Sequence, residues 1–197
     1  GLLTRAQMAA IVSRSFGAAK TASLDDYRDV LPSAWYYSDM GKAVKMGAFQ
    51  GANGLLNPDA PITRAEFAAI AARFDDKNTN NTSNFSDIAS HWAKDEIGVA
   101  ANKGWINGYP DGTFRPNQYI TRAEAMTLVN RVLNRLPENS SDLLDSMIKW
   151  PDNSDASQWF YLAVQEATNS HYYQTKENKF EKWTKLRETR DWTELEK

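Results

Sequence analysis

The chain has 197 residues, enough for one or two ordinary domains, and its 42% hydrophobic share is enough for a packed core. It contains no cysteine, which excludes disulfides, thiolate metal sites and cysteine nucleophiles. The formal charge of −2 and the absence of a basic run argue against a nucleic-acid partner, and no apolar stretch reaches the roughly 18 to 20 residues that cross a bilayer.

A four-residue motif occurs three times along the chain. It reads Thr4-Arg5-Ala6-Gln7, Thr63-Arg64-Ala65-Glu66 and Thr121-Arg122-Ala123-Glu124, with spacings of 59 and 58 residues. A threonine followed three residues later by Gln or Glu is the capping box that opens helices. Apolar residues at helical spacing follow each copy. The motif therefore predicts three helix starts within an internal repeat.

Capping explains the threonine and the Gln or Glu, but it does not explain the arginine at the first helical position. A cation there opposes the helix dipole, at a cost of a few tenths to about 1 kcal/mol. One explanation is that Arg5, Arg64 and Arg122 stack on a neighbour or pair with a nearby carboxylate. The other is that each guanidinium, together with outward-facing amides of the helix N-terminus, binds an anion.

A second recurrent unit lies between these helices. An aromatic residue stands two positions before an aspartate, and a tryptophan follows, in the sets Tyr27/Asp29/Trp35, Phe85/Asp87/Trp92 and Trp150/Asp152/Trp159. Apolar residues at helical spacing after each tryptophan predict a second amphipathic helix. Gly47 and Gly104 stand where such a helix ends in a left-handed cap, whereas the third copy has His171 at that position.

Turn-forming residues follow both cap glycines. The segments Gly51-Ala52-Asn53-Gly54 and Gly108-Tyr109-Pro110-Asp111-Gly112 favour tight turns with positive φ. They lack the Gly-Lys-Ser/Thr pattern of a phosphate-binding loop and do not follow a predicted strand. Because no alternating run of strand length is present, the sequence predicts an all-α protein of stacked helix-loop-helix repeats without a cofactor.

The central copy carries the most complete pattern. It contains Phe85-Ser86-Asp87, Trp92-Ala93, Gly104-Trp105-Ile106-Asn107-Gly108-Tyr109, Asp111-Gly112-Thr113-Phe114, Pro116 and Ile120-Thr121-Arg122-Ala123-Glu124. These elements resemble one S-layer homology (SLH) domain. The copy from Tyr27 to about Phe74 is similar, with a loop one residue shorter. The resemblance implies tandem SLH repeats arranged as a pseudo-threefold bundle.

The ends of the chain carry only halves of the repeat. We expect the latter half of a repeat at 1–26, full repeats at 27–84 and 85–149, a former half at 150–171 and a tail at 172–197. Either the terminal halves complete one another and close a ring of three, or an upstream half was removed, as the missing initiating Met suggests. Apolar residues among charges predict an amphipathic helix in the tail, at Phe180, Trp183, Leu186, Trp192 and Leu195.

The resemblance also implies a function. SLH domains anchor surface proteins non-covalently on bacterial cell-wall polymers, often secondary polysaccharides that carry pyruvate ketals. A ketal carboxylate on a sugar needs a guanidinium, amide donors and an aromatic wall. The candidate ligand-binding residues are therefore Arg5, Arg64, Arg122, Glu66, Glu124, Asp29, Asp87, Asp152, Trp35, Trp92, Gly51, Gly108 and Tyr109. The grooves around Arg64 and Arg122 are expected to bind best.

Structural roles compete with these assignments. The aspartates suit helix caps or arginine pairs, and the tryptophans suit a core. We expect a secreted, monomeric module at the bacterial surface that is not an enzyme and contacts neither nucleic acid nor membrane. With His91 and His171 as the only histidines and no metal-ligand spacing, a wall-active glycosidase has little support. A protein-interaction or S-layer self-assembly module remains the main alternative.

Overall fold

The computed structural model describes residues 1–74 and 80–188. The chain forms two compact units, one covering Gly1–Thr121 and a second that begins at Arg122. The first unit contains helices α1 (Arg5–Ser15), α2 (Tyr37–Lys45), α3 (Arg64–Ala72) and α4 (Lys94–Asn102). The second contains α5 (Arg122–Val132), two 3-10 turns (Ser140–Asp142 and Pro151–Asn153), α6 (Tyr161–Thr168), β1 (His171–Thr175) and β2 (Glu181–Leu186).

The three predicted helix starts are confirmed, since α1, α3 and α5 begin immediately after the repeated threonines. Thr4 and Thr63 both form complete capping boxes, in which the hydroxyl accepts from the third helical amide and that residue's side chain returns to the cap amide. The apolar residues before these caps, Leu3 and Ile62, are buried. Local capping chemistry therefore fixes where these helices begin.

Helices pack as consecutive pairs within each unit. In the first unit α1 packs on α2 and α3 packs on α4, while in the second α5 packs on α6. The predicted apolar faces are buried in the first unit, where Met40, Ala43, Ile97 and Ala100 are fully covered. The helix-loop-helix repeat is therefore the packing unit of the fold.

A closed ring of backbone hydrogen bonds joins the segments that lead into the Thr-Arg helices. The Leu3 amide donates to the Ile120 carbonyl at 3.1 Å, and the Ile120 amide donates to the Ile62 carbonyl at 3.1 Å. The Ile62 amide closes the ring by donating to the Leu3 carbonyl at 2.9 Å. The three equivalent segments, all in the first unit, are thus related by pseudo-threefold symmetry.

The helix-ending glycines adopt the left-handed conformation predicted for them, with φ of 75° at Gly47 and 69° at Gly104. The third copy departs from this geometry. Asn169 ends α6 in an extended conformation, with φ −117° and ψ 123°. Because no glycine turns the chain back there, it runs directly into β1 at His171.

The helical tail predicted for 172–197 is wrong over the part that the structure describes. Strands β1 and β2 form an antiparallel hairpin with an irregularity between Tyr172 and Tyr173. Along β2, the buried residues Glu181 and Trp183 alternate with the exposed Lys182 and Thr184. This period-two pattern marks a half-buried strand. Trp192 and Leu195 lie outside the described residues.

Helix α6 buries a different face from the one that its sequence predicts. Val164, Ala167 and Thr168 have the spacing from Trp159 that predicts the buried face, but Ala167 is exposed and the other two are half-buried, while Gln165 and Glu166 are buried. The buried polar face of α6 meets the hairpin, as the Trp183 to Glu166 hydrogen bond shows. Within the described residues, every helix is too short or too polar to cross a bilayer.

Candidate functional site

The N-terminal amides of α1 and α3 do not face outward as expected. Those of Arg5 and Ala6 donate to the carbonyls of Ala60 and Pro58, each at 2.9 Å. In α3, the corresponding amides, Arg64 and Ala65, donate to Gln118 at 2.9 Å and Pro116 at 3.0 Å. These donors are used by the approach segment of the following repeat, so an anion cannot occupy them without displacing that segment.

Arg5 is tied to the loop that follows α2. Its Nε donates to the Leu56 carbonyl at 2.8 Å, and its Nη1 forms an ion pair with Glu66, the capping-box residue of α3. Nη2 also reaches the Gln50 carbonyl at 3.4 Å. The side chain of Arg5 retains 14% exposure. The arginine that capping left unexplained thus joins α1, the loop and α3.

Arg64 repeats this arrangement in the next repeat. Its Nε donates to the Phe114 carbonyl at 2.8 Å and its Nη2 to the Asn107 carbonyl at 2.7 Å. The guanidinium lies 4.9 Å from the Tyr109 ring centroid and 4.7 Å from that of Phe114. Only 6% of Arg64 is exposed. The neighbour-stacking explanation therefore accounts for Arg64, with backbone carbonyls as the main partners.

Asp29 and Asp87 bind backbone amides of the same two loops whose carbonyls bind Arg5 and Arg64. Asp29 accepts from the amides of Leu56 and Asn57, and Asp87 accepts from those of Phe114 and Arg115. Both Asn57 and Arg115 have positive φ, at 50° and 57°. Burial raises the pKa of Asp87, but the hydrogen bonds from the Phe114 and Arg115 amides lower it by more. The net pKa of Asp87 therefore lies below its ordinary value.

Gly51 and Gly108 are required by packing. A Cβ on Gly51 would overlap the ring of Tyr27, and one on Gly108 would overlap the ring of Phe85. These rings are the aromatic residues of the repeated aromatic-x-Asp element. Aromatic, aspartate and glycine therefore cooperate to hold each loop, which explains their joint recurrence.

Tyr109 is half-buried between two arginines. Its ring centroid lies 4.9 Å from the Arg64 guanidinium and 3.8 Å from that of Arg115. Its hydroxyl donates to Gln118 at 3.2 Å. Arg115 also pairs with Asp111 at 3.0 Å and is largely exposed. Sequence reasoning missed Arg115, which adds a cation to the Tyr109 loop.

The third Thr-Arg motif and the third aromatic-x-Asp element, which carry Arg122 and Asp152, are not followed by a glycine-rich loop like the one that engages their counterparts. Asp152 and Arg122 are both exposed, and across residues 1–74 and 80–188 neither side chain has a recorded hydrogen bond or ion pair. Their counterparts bind a glycine-rich loop after the helix, whereas the chain after α6 forms β1. Glu124 lies in the first turn of α5 and is half-buried. Arg122 is therefore an accessible guanidinium.

The tryptophans at the starts of α2, α4 and α6 are exposed rather than buried in the core. Exposure is 53% for Trp35 and 64% for both Trp92 and Trp159. Trp35 lies edge-on to Tyr36 at 5.4 Å, and Trp159 lies edge-on to Phe160 at the same distance. The core prediction for these rings is wrong, because each one lies in the turn before its helix. Three flat apolar surfaces thus face solvent at equivalent positions.

Contacts join only part of the predicted site. The loop at 104–116 contains Gly108 and Tyr109, and it is contacted by Arg64 and Asp87. Within the described part of the chain, no ring contact or hydrogen bond connects Trp92 to that set. The structure therefore separates a group of residues that shapes the loops from a group of exposed residues.

A buried charged cluster in the second unit was also missed. Arg135, Glu166 and Glu181 surround His171, with contacts of 2.7 to 3.3 Å. The signal available in the sequence was His171 itself, which replaces the glycine of the other repeats. Its partners come from segments on both sides of it, so residue spacing does not reveal them.

The two repeats that contain these loops match a known protein family. The profile described as "S-layer homology domain" matches residues 26–68 and 84–126. The chain carries tandem S-layer homology domains. Each match runs from the aromatic-x-Asp element through the loop to the next Thr-Arg helix start, which is the unit that the hydrogen bonds define. The expected family is thereby confirmed.

Curated relatives extend the similarity beyond the two SLH domains. Cell surface glycoprotein 1 of Acetivibrio thermocellus is 35% identical over 94% of this chain and 8% of its own length. The cellulosome-anchoring protein of the same organism is 34% identical over 89% of the chain and 40% of its length. Exoglucanase XynX, also from Acetivibrio thermocellus, is 31% identical over 68% of this chain and 13% of its own length. The chain thus spans less than half of these relatives.

Proposed function

We propose that this chain is a non-covalent anchoring module that binds a bacterial cell-wall polysaccharide and tethers a secreted protein at the cell surface. The observation that carries the proposal is the exposure of Trp35 and Trp92 at equivalent positions of two SLH domains, at 53% and 64%. Flat aromatic surfaces of this kind suit the apolar face of a sugar ring. The names of the cell-surface and cellulosome-anchoring relatives agree with this role.

The proposed ligand is anionic, as a pyruvate ketal would make it. Arg122 supports this refinement because its guanidinium is exposed and suited to bidentate contact with a carboxylate. Arg5 and Arg64 contribute by shaping the loops rather than through free donors, since their guanidinium groups bind loop carbonyls. The accessible cation is thus Arg122 at the start of α5, and the aromatic surfaces are Trp35, Trp92 and Trp159.

We propose that the module itself does not catalyse a reaction. One relative is an exoglucanase by name, but the chain matches only 13% of its length. His171 is buried among its partners, and His91 contacts Asn117 and the Ala93 amide. Catalysis in such a relative then belongs to its other domains. Release of reducing sugar from wall glycan by the purified chain would contradict this proposal.

Sedimentation with purified wall sacculi tests the anchoring function. The chain should pellet with intact sacculi and remain in solution after acid extraction of the secondary polysaccharide. The Trp35→Ala/Trp92→Ala double variant should lose most of its pelleting, whereas Trp105→Ala, a half-buried ring in the second loop, is the matched control. Pelleting that survives extraction would instead indicate a protein or peptidoglycan partner, as a self-assembly module requires.

Calorimetry with a pyruvylated wall fragment tests the charge refinement. The same fragment after acid removal of the ketal is the control ligand. The intact fragment should bind more tightly than the treated one, and Arg122→Gln should erase most of that difference. Equal affinity for both fragments would refute the role of the ketal while leaving the anchoring proposal intact.

A further inference from the structure

The hairpin in the second unit is held on α6 by four charged or titratable side chains. Glu166 comes from α6, His171 begins β1, Glu181 begins β2, and Arg135 follows α5. The side chains of His171, Glu166 and Glu181 are only 2% to 3% exposed. The cluster thus lies at the point where the chain leaves the repeat pattern.

The contacts within the cluster are reciprocal. Glu166 places Oε1 3.0 Å from Arg135 Nη2 and Oε2 3.3 Å from His171 Nε2. Glu181 places Oε2 2.7 Å from Arg135 Nε and Oε1 3.1 Å from His171 Nε2. Each carboxylate therefore directs one oxygen to the arginine and the other to the histidine.

The imidazole orientation follows from its other nitrogen. His171 Nδ1 lies 2.7 Å from the Asn169 carbonyl oxygen, which only accepts hydrogen bonds, so Nδ1 carries a hydrogen. Nε2 then faces both carboxylates. An unprotonated Nε2 would direct its lone pair at two anionic oxygens, with one N–H of Arg135 nearby at 3.0 Å. A proton on Nε2 converts this repulsion into charge-assisted hydrogen bonds.

The charge balance of the cluster also favours a proton on His171 Nε2. Two carboxylates and one guanidinium leave the buried cluster with one excess negative charge, and a protonated His171 neutralises it. The Arg135 guanidinium, 3.0 Å from Nε2, opposes that proton, but two anions outweigh one cation. The imidazole also stacks on Trp183 at 4.0 Å and lies 6.3 Å from the phenol ring of Tyr173.

We propose that Arg135, Glu166, His171 and Glu181 form a proton-dependent latch, in which protonated His171 holds the β-hairpin on α6 and its deprotonation at alkaline pH loosens the hairpin. Both oxygens of Glu166 accept from N–H donors, Oε1 from Arg135 and Oε2 from Trp183 at 2.8 Å. Burial raises the pKa of Glu166, and the nearby Glu181 carboxylate raises it too, while its hydrogen bond with His171 lowers it. The Arg135 and Trp183 donors favour the ionised carboxylate, so we place the proton on His171 rather than on Glu166.

The electrostatics set the pH range of the latch. Burial lowers the pKa of His171, but its hydrogen bonds with Glu166 and Glu181 raise it more, to about 9 from 6.5. Because the folded pKa exceeds the unfolded one, the stabilisation is complete below about pH 6.5 and is lost as the pH rises through about 9. Burial raises the pKa of Glu181, but hydrogen bonds from His171 and Arg135 lower it to about 2, so this group stays ionised throughout.

Nitrogen NMR of the imidazole tests the latch directly. The His91→Asn variant leaves His171 as the only histidine, and an asparagine can still accept from the Ala93 amide. We expect an imidazolium at pH 7 that loses its proton near pH 9. Exchange protection of the β1 and β2 amides should fall about tenfold or more across the same midpoint. A neutral imidazole at pH 7, or protection unchanged across the midpoint, would overturn the latch.

Two matched Glu→Gln variants separate the cluster from general charge effects. Glu181→Gln removes one carboxylate from His171 and should lower its midpoint by about one pH unit or more. Glu138→Gln removes the partner of Lys176 at the far end of the hairpin and should leave the midpoint unchanged. Equal shifts in both variants would contradict the proposal. If Glu181→Gln does not fold, the titration of His171 in the His91→Asn chain still tests the latch.

A metal ion is the rival occupant of this cluster. The ligand atoms of Glu166, His171 and Glu181 lie within 4.8 Å of one another. Arg135 already supplies a positive charge there, which disfavours a divalent cation. Stoichiometric zinc chloride at pH 7 should leave the His171 signals and the melting temperature unchanged. Tight zinc binding that displaces the Nε2 proton would refute the latch and identify a metal site instead.

Discussion

The ring of Phe85 fills the space that a Cβ atom on Gly108 would need. Tyr27 stands in the same relation to Gly51 in the preceding repeat. Each pair brings the start of a repeat into contact with its loop across more than twenty residues of sequence. The recurrence of aromatic and glycine in the SLH pattern is therefore one packing constraint expressed at two positions.

Gly108→Ala should lower the free energy of unfolding by about 1 to 3 kcal/mol, because the methyl group would displace the Phe85 ring. Urea denaturation of the parent and the variant gives this difference. The Phe85→Leu background should reduce the penalty, since a smaller side chain leaves more space. The same penalty in both backgrounds would show that the ring is not the obstacle.

Arg64→Gln and Arg122→Gln should behave in opposite ways. Arg64→Gln removes charged donors from the Asn107 and Phe114 carbonyls and should cost about 2 to 4 kcal/mol of stability. Arg122→Gln should change stability by less than about 0.5 kcal/mol, because its side chain is exposed. Thermal unfolding of both variants provides the comparison. A large loss of stability in the Arg122 variant would contradict the assignment of that arginine to ligand binding.

Asp87→Asn should cost about 1 kcal/mol at pH 7, because an amide oxygen is a weaker acceptor for the Phe114 and Arg115 amides than a carboxylate. The folded pKa of Asp87 lies below its ordinary value of 3.8, so this advantage is present above that pH and is lost as the pH falls. The free energies of unfolding of parent and variant should therefore differ at pH 7 and become more similar at pH 3. Asp152→Asn is the control, since that exposed carboxylate should show little difference at either pH.

Replacing the exposed tryptophans should separate binding from folding. Trp92→Ala should leave the melting temperature nearly unchanged, since 64% of the residue is exposed, and should weaken polysaccharide binding about tenfold. Trp183→Ala is the opposite case, because its ring is 2% exposed and its removal should cost about 3 to 5 kcal/mol. Calorimetry and thermal unfolding report the two effects. Unchanged polysaccharide affinity of Trp92→Ala would remove the sugar-platform role of that ring.

Local rules predicted the local features of this fold. The capping boxes of Thr4 and Thr63 and the left-handed glycines at 47 and 104 depend on neighbouring residues only, and all of them are confirmed. The hairpin was missed because the buried position of β2 at Glu181 is charged, which masks the alternation that hydrophobicity normally reveals. A charged residue in a strand core is predictable only together with its partners.

The candidate site was less predictable because its contacts are distant in sequence. The acceptors of Arg64 lie 50 and 43 residues away, so the motif alone could not distinguish a buried guanidinium from a free one. Exposure of Trp92 was equally hidden, since a large apolar ring is ordinarily assigned to the core. The exposure of Arg122 was hidden as well, because it depends on the different course of the chain after α6, where His171 stands in place of a glycine.

The hydrogen-bonded ring of Leu3, Ile62 and Ile120 imposes an order on folding. Two of its three bonds involve Ile120, so the ring cannot close until the chain has been synthesised beyond residue 120. Pairings this far apart in sequence are slow to form. The start of α1 therefore gains its final backbone anchorage only after residue 120 is present, a delay that a string of independent repeats would not have.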